Sequence, residues 1–110
     1  MISKAVLGQV LGEEGKYPEA ERVLREDYDS MLRVLGKDHP DTGESAYELS
    51  VLYAAEGKRA EAVTWLTTAV DHGLSSSVDL DLGNDPSLKP LHGDPAFEAL
   101  VVRARKHAKQ

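Results

Sequence analysis

The chain has no cysteine, which excludes disulfides, thiolate nucleophiles and cysteine-based metal centres. That absence fits a reducing compartment, and cytoplasmic residence is the expectation. Aromatic side chains are scarce, at 5% of residues, so the core must come mainly from leucine, valine and alanine, a palette that favours helices. Long apolar runs are missing too. Stretches such as Leu100–Val102 fall far short of the roughly 20 residues needed to cross a bilayer, and the opening residues carry no secretory pattern. Positive charge is in deficit, 13 Lys and Arg against 19 Asp and Glu, for a net charge of −6. Such a balance disfavours nucleic acid and anionic membrane as partners. The cations Arg103, Arg105, Lys106 and Lys109 crowd the last residues, where they complement the negative end of a helix dipole.

Catalytic and metal-binding patterns are absent as well. The sequence holds no Gly-rich phosphate loop, no Gly-x-Ser-x-Gly elbow and no kinase motif. The stretch "SVDLDLGNDP" gathers Asp79, Asp81, Asn84 and Asp85, but calcium loops need glycine at the sixth position and glutamate at the twelfth. Counted from Asp79 those positions are Asn84 and Pro90, so the segment reads as a solvated loop, with Asp85 capping a short turn at Pro86. Asp94 and Pro95 repeat that start signal. Ser75–Ser77 reads as a flexible link. His39, His72, His92 and His107 stand apart from one another, without a ligand partner at helical metal spacing.

What the sequence does have is a repeat. "LGEEGKYPEAERVL" and "LYAAEGKRAEAVTWL" align on Gly15 and Gly57 at a constant spacing of 42 residues. Glu14/Glu56, Lys16/Lys58, Glu19/Glu61, Ala20/Ala62 and Leu24/Leu66 are identical pairs in that register. Within each copy the apolar positions recur in steps of three and four, as in Val6, Leu7, Val10, Leu11 and in Leu49, Leu52, Tyr53. Each first helix ends at a Gly-Lys step that can take a left-handed turn. A second helix follows, started in copy one by Pro18 in its first turn. Gly8 with Ala20, and Ser50 with Ala62, put small residues where two antiparallel helices would approach most closely. At 110 residues the whole is one domain's worth of chain.

The spacing Leu7, Gly8, Leu11, Gly15, Tyr17, Ala20, Leu24, echoed by Leu49, Ser50, Tyr53, Gly57, Ala62, Leu66, Ala69, resembles the tetratricopeptide repeat. The 42-residue period and the connector "LGKDHPDT" resemble the kinesin-light-chain subtype, also frequent in bacterial proteins. The stretch "NDPSLKPLHGDPAFEALV" is similar to the capping segment of bacterial repeats of this kind. Copy one departs from the family at Asp27, where alanine is usual, and copy two at Arg59, where tyrosine is usual.

The resemblance implies an all-α fold, a right-handed α–α superhelix of two helix hairpins closed by a C-terminal capping helix. Repeat one would span 1–38, repeat two 39–74, a linker and short turn 75–93, and the cap 94–110. It also implies a protein-interaction or scaffold role, without catalysis or cofactor, in the C-terminal part of a repeat array or regulatory protein. In this family the first helices line a concave groove for a peptide or helix. By position that groove comprises Ala5, Gln9, Gly12 and Glu13 from copy one, and Tyr47, Val51, Ala54 and Ala55 from copy two. The Lys, Asn and Arg residues with which some members clamp a terminal carboxylate are absent. Where kinesin light chains offer Asn pairs, this chain has Ala5-Val6 and Tyr47-Glu48.

Two local expectations remain. The connector packs Asp38, His39 and Asp41 around Pro40, but their side chains radiate from one extended turn. Asp38 or His39 should therefore sit near the next helix's N-cap, with Asp41 in its first turn. The last helix, 95–108, carries Phe97, Leu100, Val101 and Ala104 on one face over Leu88 and Leu91. No covering helix precedes Ile2, so Ile2 and Val6 form an apolar edge. The alternative role is self-assembly, with a second copy of the chain pairing at that edge.

Overall fold

The computed structural model describes residues 3–108, apart from the side chains of Ser76, Ser77 and Leu80. Its elements are helices α1 (Lys4–Glu13), α2 (Tyr17–Leu35), α3 (Pro40–Ala55), α4 (Arg59–His72), α5 (Ser76–Asp81) and α6 (Pro95–Ala108). Two 3-10 turns, Leu82–Asn84 and Pro86–Leu91, separate α5 from α6. No strand occurs among the described residues, so the fold is an all-α helical repeat.

Equal sequence at a spacing of 42 produces equal backbone. Glu14 N–H donates to the Val10 carbonyl, Gly15 N–H to Gly12 and Lys16 N–H to Leu11 at 2.8–3.0 Å. In the second copy Glu56 donates to Leu52, Gly57 to Ala54 and Lys58 to Tyr53, at 2.9–3.1 Å. The two glycines have φ of 79° and 81°, a region that costs a side chain about 1 kcal/mol or more. Each turn therefore uses glycine to reverse the chain and bring a second helix back along the first. Pro18 lies in the first turn of α2, where its missing N–H leaves no hydrogen bond unmade.

The connector is a joint. Gly36 ends α2, and the His39 backbone is extended (φ −80°, ψ 135°), as the following proline requires. His39 is the residue that caps α3: its Nδ1 accepts from the Asp41 N–H at 3.1 Å. Buried Thr42 ties the turn down by donating to the Gly36 carbonyl at 2.7 Å.

Ala20, Leu24, Leu49, Leu52, Tyr53, Ala62, Leu66, Ala69 and Val70 form the core between the hairpins. α3 is the central element, packed by α1, α2, α4 and the Pro86–Leu91 turn. In α6, Phe97, Leu100, Val101 and Ala104 are all buried, and Leu88 and Leu91 are buried in the preceding turn. That turn packs on α3, α4 and the Leu82–Asn84 turn, while α6 packs on α5, α4 and Leu82–Asn84. Asp85 and Asp94 are caps as expected, accepting from Ser87 N–H and Ala96 N–H at 2.9 Å each.

The solvated-loop expectation for "SVDLDLGNDP" is corrected. The stretch is a helical turn followed by a 3-10 turn, with Leu82 and Asp79 fully buried. Inside, Asp79 Oδ2 lies 2.8 Å from His107 Nδ1 on α6, while Oδ1 is buried with no partner among the described residues. The link assigned to Ser75–Ser77 likewise runs into α5, which begins at Ser76.

Candidate functional site

α1 and α3, the first helices of the two hairpins, leave a groove of about 440 Å³ between them. It exists because α1 presents two glycines one helical turn apart, Gly8 and Gly12. A Cβ on Gly8 would sit 2.4 Å from Leu24 Cδ2, and one on Gly12 3.2 Å from Leu52 Cδ1. Without those methyl groups, buried Leu24 and Leu52 form the floor. Gln9 and Glu13 stand on the α1 side, Tyr47, Glu48, Val51 and Ala55 on the α3 side, and Ser87 reaches in from the Pro86–Leu91 turn.

Of the eight residues assigned to the groove from sequence, Gln9, Gly12, Glu13, Tyr47, Val51 and Ala55 line it. Ala5 does not. It lines an adjoining hollow of about 240 Å³ with Asp27, Glu44, Ser45 and Glu48. The assignment of Ala54 is corrected: it is 2% exposed and belongs to the core. The reason is the crowding of α3, whose second half is covered on most sides and leaves the Tyr47, Glu48, Val51, Ala55 stripe open while burying Ala54. Sequence reasoning missed Glu48. Its signal was available, since Glu48 stands at the position Val6 occupies one repeat earlier, a carboxylate where the pattern has an apolar side chain.

Electrostatically the groove is acidic. Gln9 Nε2 donates to Glu48 Oε2 at 3.0 Å. Burial pushes the Glu48 carboxyl above its ordinary range; the Gln9 hydrogen bond opposes that, and neighbouring Glu44, Asp85 and Asp27 reinforce it. Tyr47 donates its hydroxyl to Asp85 Oδ2, and burial together with that bond pushes the phenol well above its usual value. The arrangement offers shape, apolar contact and carboxylate acceptors, which suit binding.

A concavity of about 430 Å³ lies on the opposite side, between α2 and α4. Its aromatic groups already satisfy one another. Arg25 lies 5.7 Å over the Trp65 ring, and Tyr28 meets Trp65 edge-on at 5.1 Å. The histidines are each engaged separately. His72 joins α4 to α2 and the connector, with Nε2 2.7 Å from the Tyr28 hydroxyl and Nδ1 2.6 Å from the Lys37 carbonyl. His92 stacks on Phe97. Among the described residues no group of His, Asp or Glu side chains could hold a metal ion, and no helix is long and apolar enough to cross a membrane.

At the N-terminal edge Val6 and Val10 on α1 are 44% and 40% exposed. Ile2, assigned to the same edge, lies outside the described residues.

Comparison with known families finds the tetratricopeptide repeat over residues 2–72. No curated protein and no solved structure matches the chain. The match covers both hairpins, from α1 to the end of α4. Repeats of this kind mediate protein–protein interaction and are not themselves enzymes. With the family match on the same residues that carry the 42-residue register and the paired glycine turns, the chain belongs to the tetratricopeptide repeat family.

Proposed function

We propose that this chain is a protein-binding scaffold module that takes a peptide segment of its partner in the groove between α1 and α3. The observation that carries this reading is the groove itself, an open concavity with a leucine floor where both first helices contribute walls. Its length, two helices, limits the contact area, so one peptide engaged here binds weakly. The 42-residue period and the His39–Pro40 joint support the long-loop, kinesin-light-chain-like subtype. Cytoplasmic residence agrees with the cysteine-free composition.

Selection of peptides from a random display library on the immobilised chain tests the reading. Ala55 is exposed at the groove, so Ala55→Trp fills it without disturbing the core. Selected peptides should lose binding to Ala55→Trp while its circular dichroism stays unchanged. Peptides that bind both forms equally would contradict a groove-based function.

The exposure of Val6 and Val10 favours a second reading, self-association through α1. In the second repeat the equivalent positions, Glu48 and Leu52, face α1, where Leu52 meets Gly12 and Glu48 meets Gln9. Light scattering at micromolar concentration should then show a dimer that Val6→Glu abolishes. A monomer at all concentrations would exclude it.

A further inference from the structure

The groove is one of three hollows that run together along α3. The hollow beside Ala5 shares Glu48 with it, and a third, of about 360 Å³ and lined by Val78, Asp81, Asn84, Asp85 and Pro86, shares Tyr47. Carboxylates line all three: Glu13 and Glu48 in the first, Asp27, Asp41 and Glu44 added in the second, Asp81 and Asp85 in the third. Among the described residues no lysine or arginine lines any of them.

Internal pairing does not neutralise this strip. Among the described residues Glu13, Glu44, Glu48 and Asp85 make no ion pair. Asp41 has His39 at 3.9 Å as its one ion-pair partner among the described residues, and Asp27 accepts from the neutral Ser45 hydroxyl at 3.0 Å. Two cations beside the strip are engaged elsewhere: Lys16, three residues from Glu13, pairs with Glu14 at 3.7 Å, and Lys4 reaches Glu26 on α2 at 3.8 Å. Glu48 and Asp85 receive the Gln9 amide and the Tyr47 hydroxyl, which orient the carboxylates without supplying charge. Desolvation without a counter-ion also raises the Glu48 carboxyl, the behaviour of an acid whose partner charge is missing.

We propose that the α1–α3 groove selects a peptide segment carrying a lysine or arginine side chain, with apolar residues of that segment on the Leu24–Leu52 floor and its cation between Glu48 and Glu13. The inference rests on the groove reading above and adds the chemistry of the occupant. Pairing with a cation converts an unfavourable desolvated carboxylate into a charge-assisted hydrogen bond, so discrimination comes from the groove's own uncompensated charge. A carboxylate-bearing peptide meets the opposite field and is rejected.

The test uses mixtures of N-acetylated, C-amidated peptides about ten residues long, random except for one position fixed as Lys, Arg, Gln or Glu. Each mixture is measured against the whole chain, Glu48→Gln and Ala55→Trp, at low and high salt. Binding that Ala55→Trp removes reports the groove. The proposal expects such binding to be roughly fivefold stronger for Lys and Arg mixtures than for Gln, and weakest for Glu. Glu48→Gln should level Lys with Gln, and salt should erase the preference. Groove-dependent binding that ignores charge, or favours Glu, overturns the cationic occupant and leaves the groove standing. No groove-dependent binding from any mixture overturns both.

Discussion

A methyl group added at position 8 would lie 2.4 Å from Leu24 Cδ2 and 2.5 Å from Cγ, so the leucine must move. Overpacking of this kind costs about 1–3 kcal/mol, whereas alanine in place of a helical glycine gains about 1 kcal/mol. Gly8→Ala should therefore be destabilising on balance, lowering Tm by several degrees in a thermal melt. Gly15→Ala should also destabilise, by about 1 kcal/mol, but for a different reason. Nothing lies within 4 Å of the added atom, and the cost is the φ of 79°. Glu48 makes a prediction in the opposite direction. Its folded form holds a proton more tightly than the unfolded chain, whose glutamates titrate near 4.5. The stability from this group is full below that pH and is lost as pH rises through the raised folded value. Glu48→Gln, which keeps an oxygen for the Gln9 amide, should raise Tm at pH 7 and leave it unchanged at pH 4. An unchanged Tm at pH 7 would show that Glu48 is not under desolvation stress.

Between elements, the departure at Asp27 has a structural reason. It reaches from α2 to Ser45 at the start of α3, accepting a 3.0 Å hydrogen bond in a buried site, so the atypical residue bridges the two hairpins. A double-mutant cycle of Asp27→Ala and Ser45→Ala should yield a coupling of about 1–2 kcal/mol. Additive effects would show that the bond contributes nothing beyond its parts. The helices themselves were legible because their signals are local. The Gly-Lys turns, the capping position around His39, the Asp-Pro starts and the apolar stripe of α6 each lie within a few residues of what they determine. The misjudged elements depended on distant partners. Asp79 looks like a loop residue until His107, 28 positions later, arrives beside it. Ala54 looks like a groove residue until the packing around α3 closes over it. For Glu48 the sequence showed a carboxylate at an apolar repeat position, but its acidic surroundings depend on Glu44, Asp27 and Asp85 being assembled around it.

At the scale of the whole molecule, two hairpins alone leave the far side of α3 and α4 uncovered, and the chain from α5 onward closes it. α6 buries Phe97 completely, along with Leu100, Val101 and Ala104. In a repeat architecture, stability is a sum of unit and interface terms, so loss of the end interface is felt throughout so short an array. Phe97→Ala should cost about 3–5 kcal/mol and lower Tm by about 10 °C or more, as seen in calorimetry. A change within about 2 °C would mean that the cap is an appendage. The closing segment also borders the groove, where Ser87 lines it and Asp85 accepts the Tyr47 hydroxyl, but α6 itself does not line it. The α6 variant therefore reports on closure and the groove variant on binding, without a shared lining residue.

The most direct measurement is an amide chemical-shift map of the isotope-labelled chain titrated with a library-selected peptide. The account predicts perturbations at residues 9, 12, 13, 47, 48, 51 and 55, with the outer faces of α2 and α4 unmoved. Shifts centred instead on Arg25, Trp65 and Thr68 would place the binding surface on the other side of the molecule and contradict it.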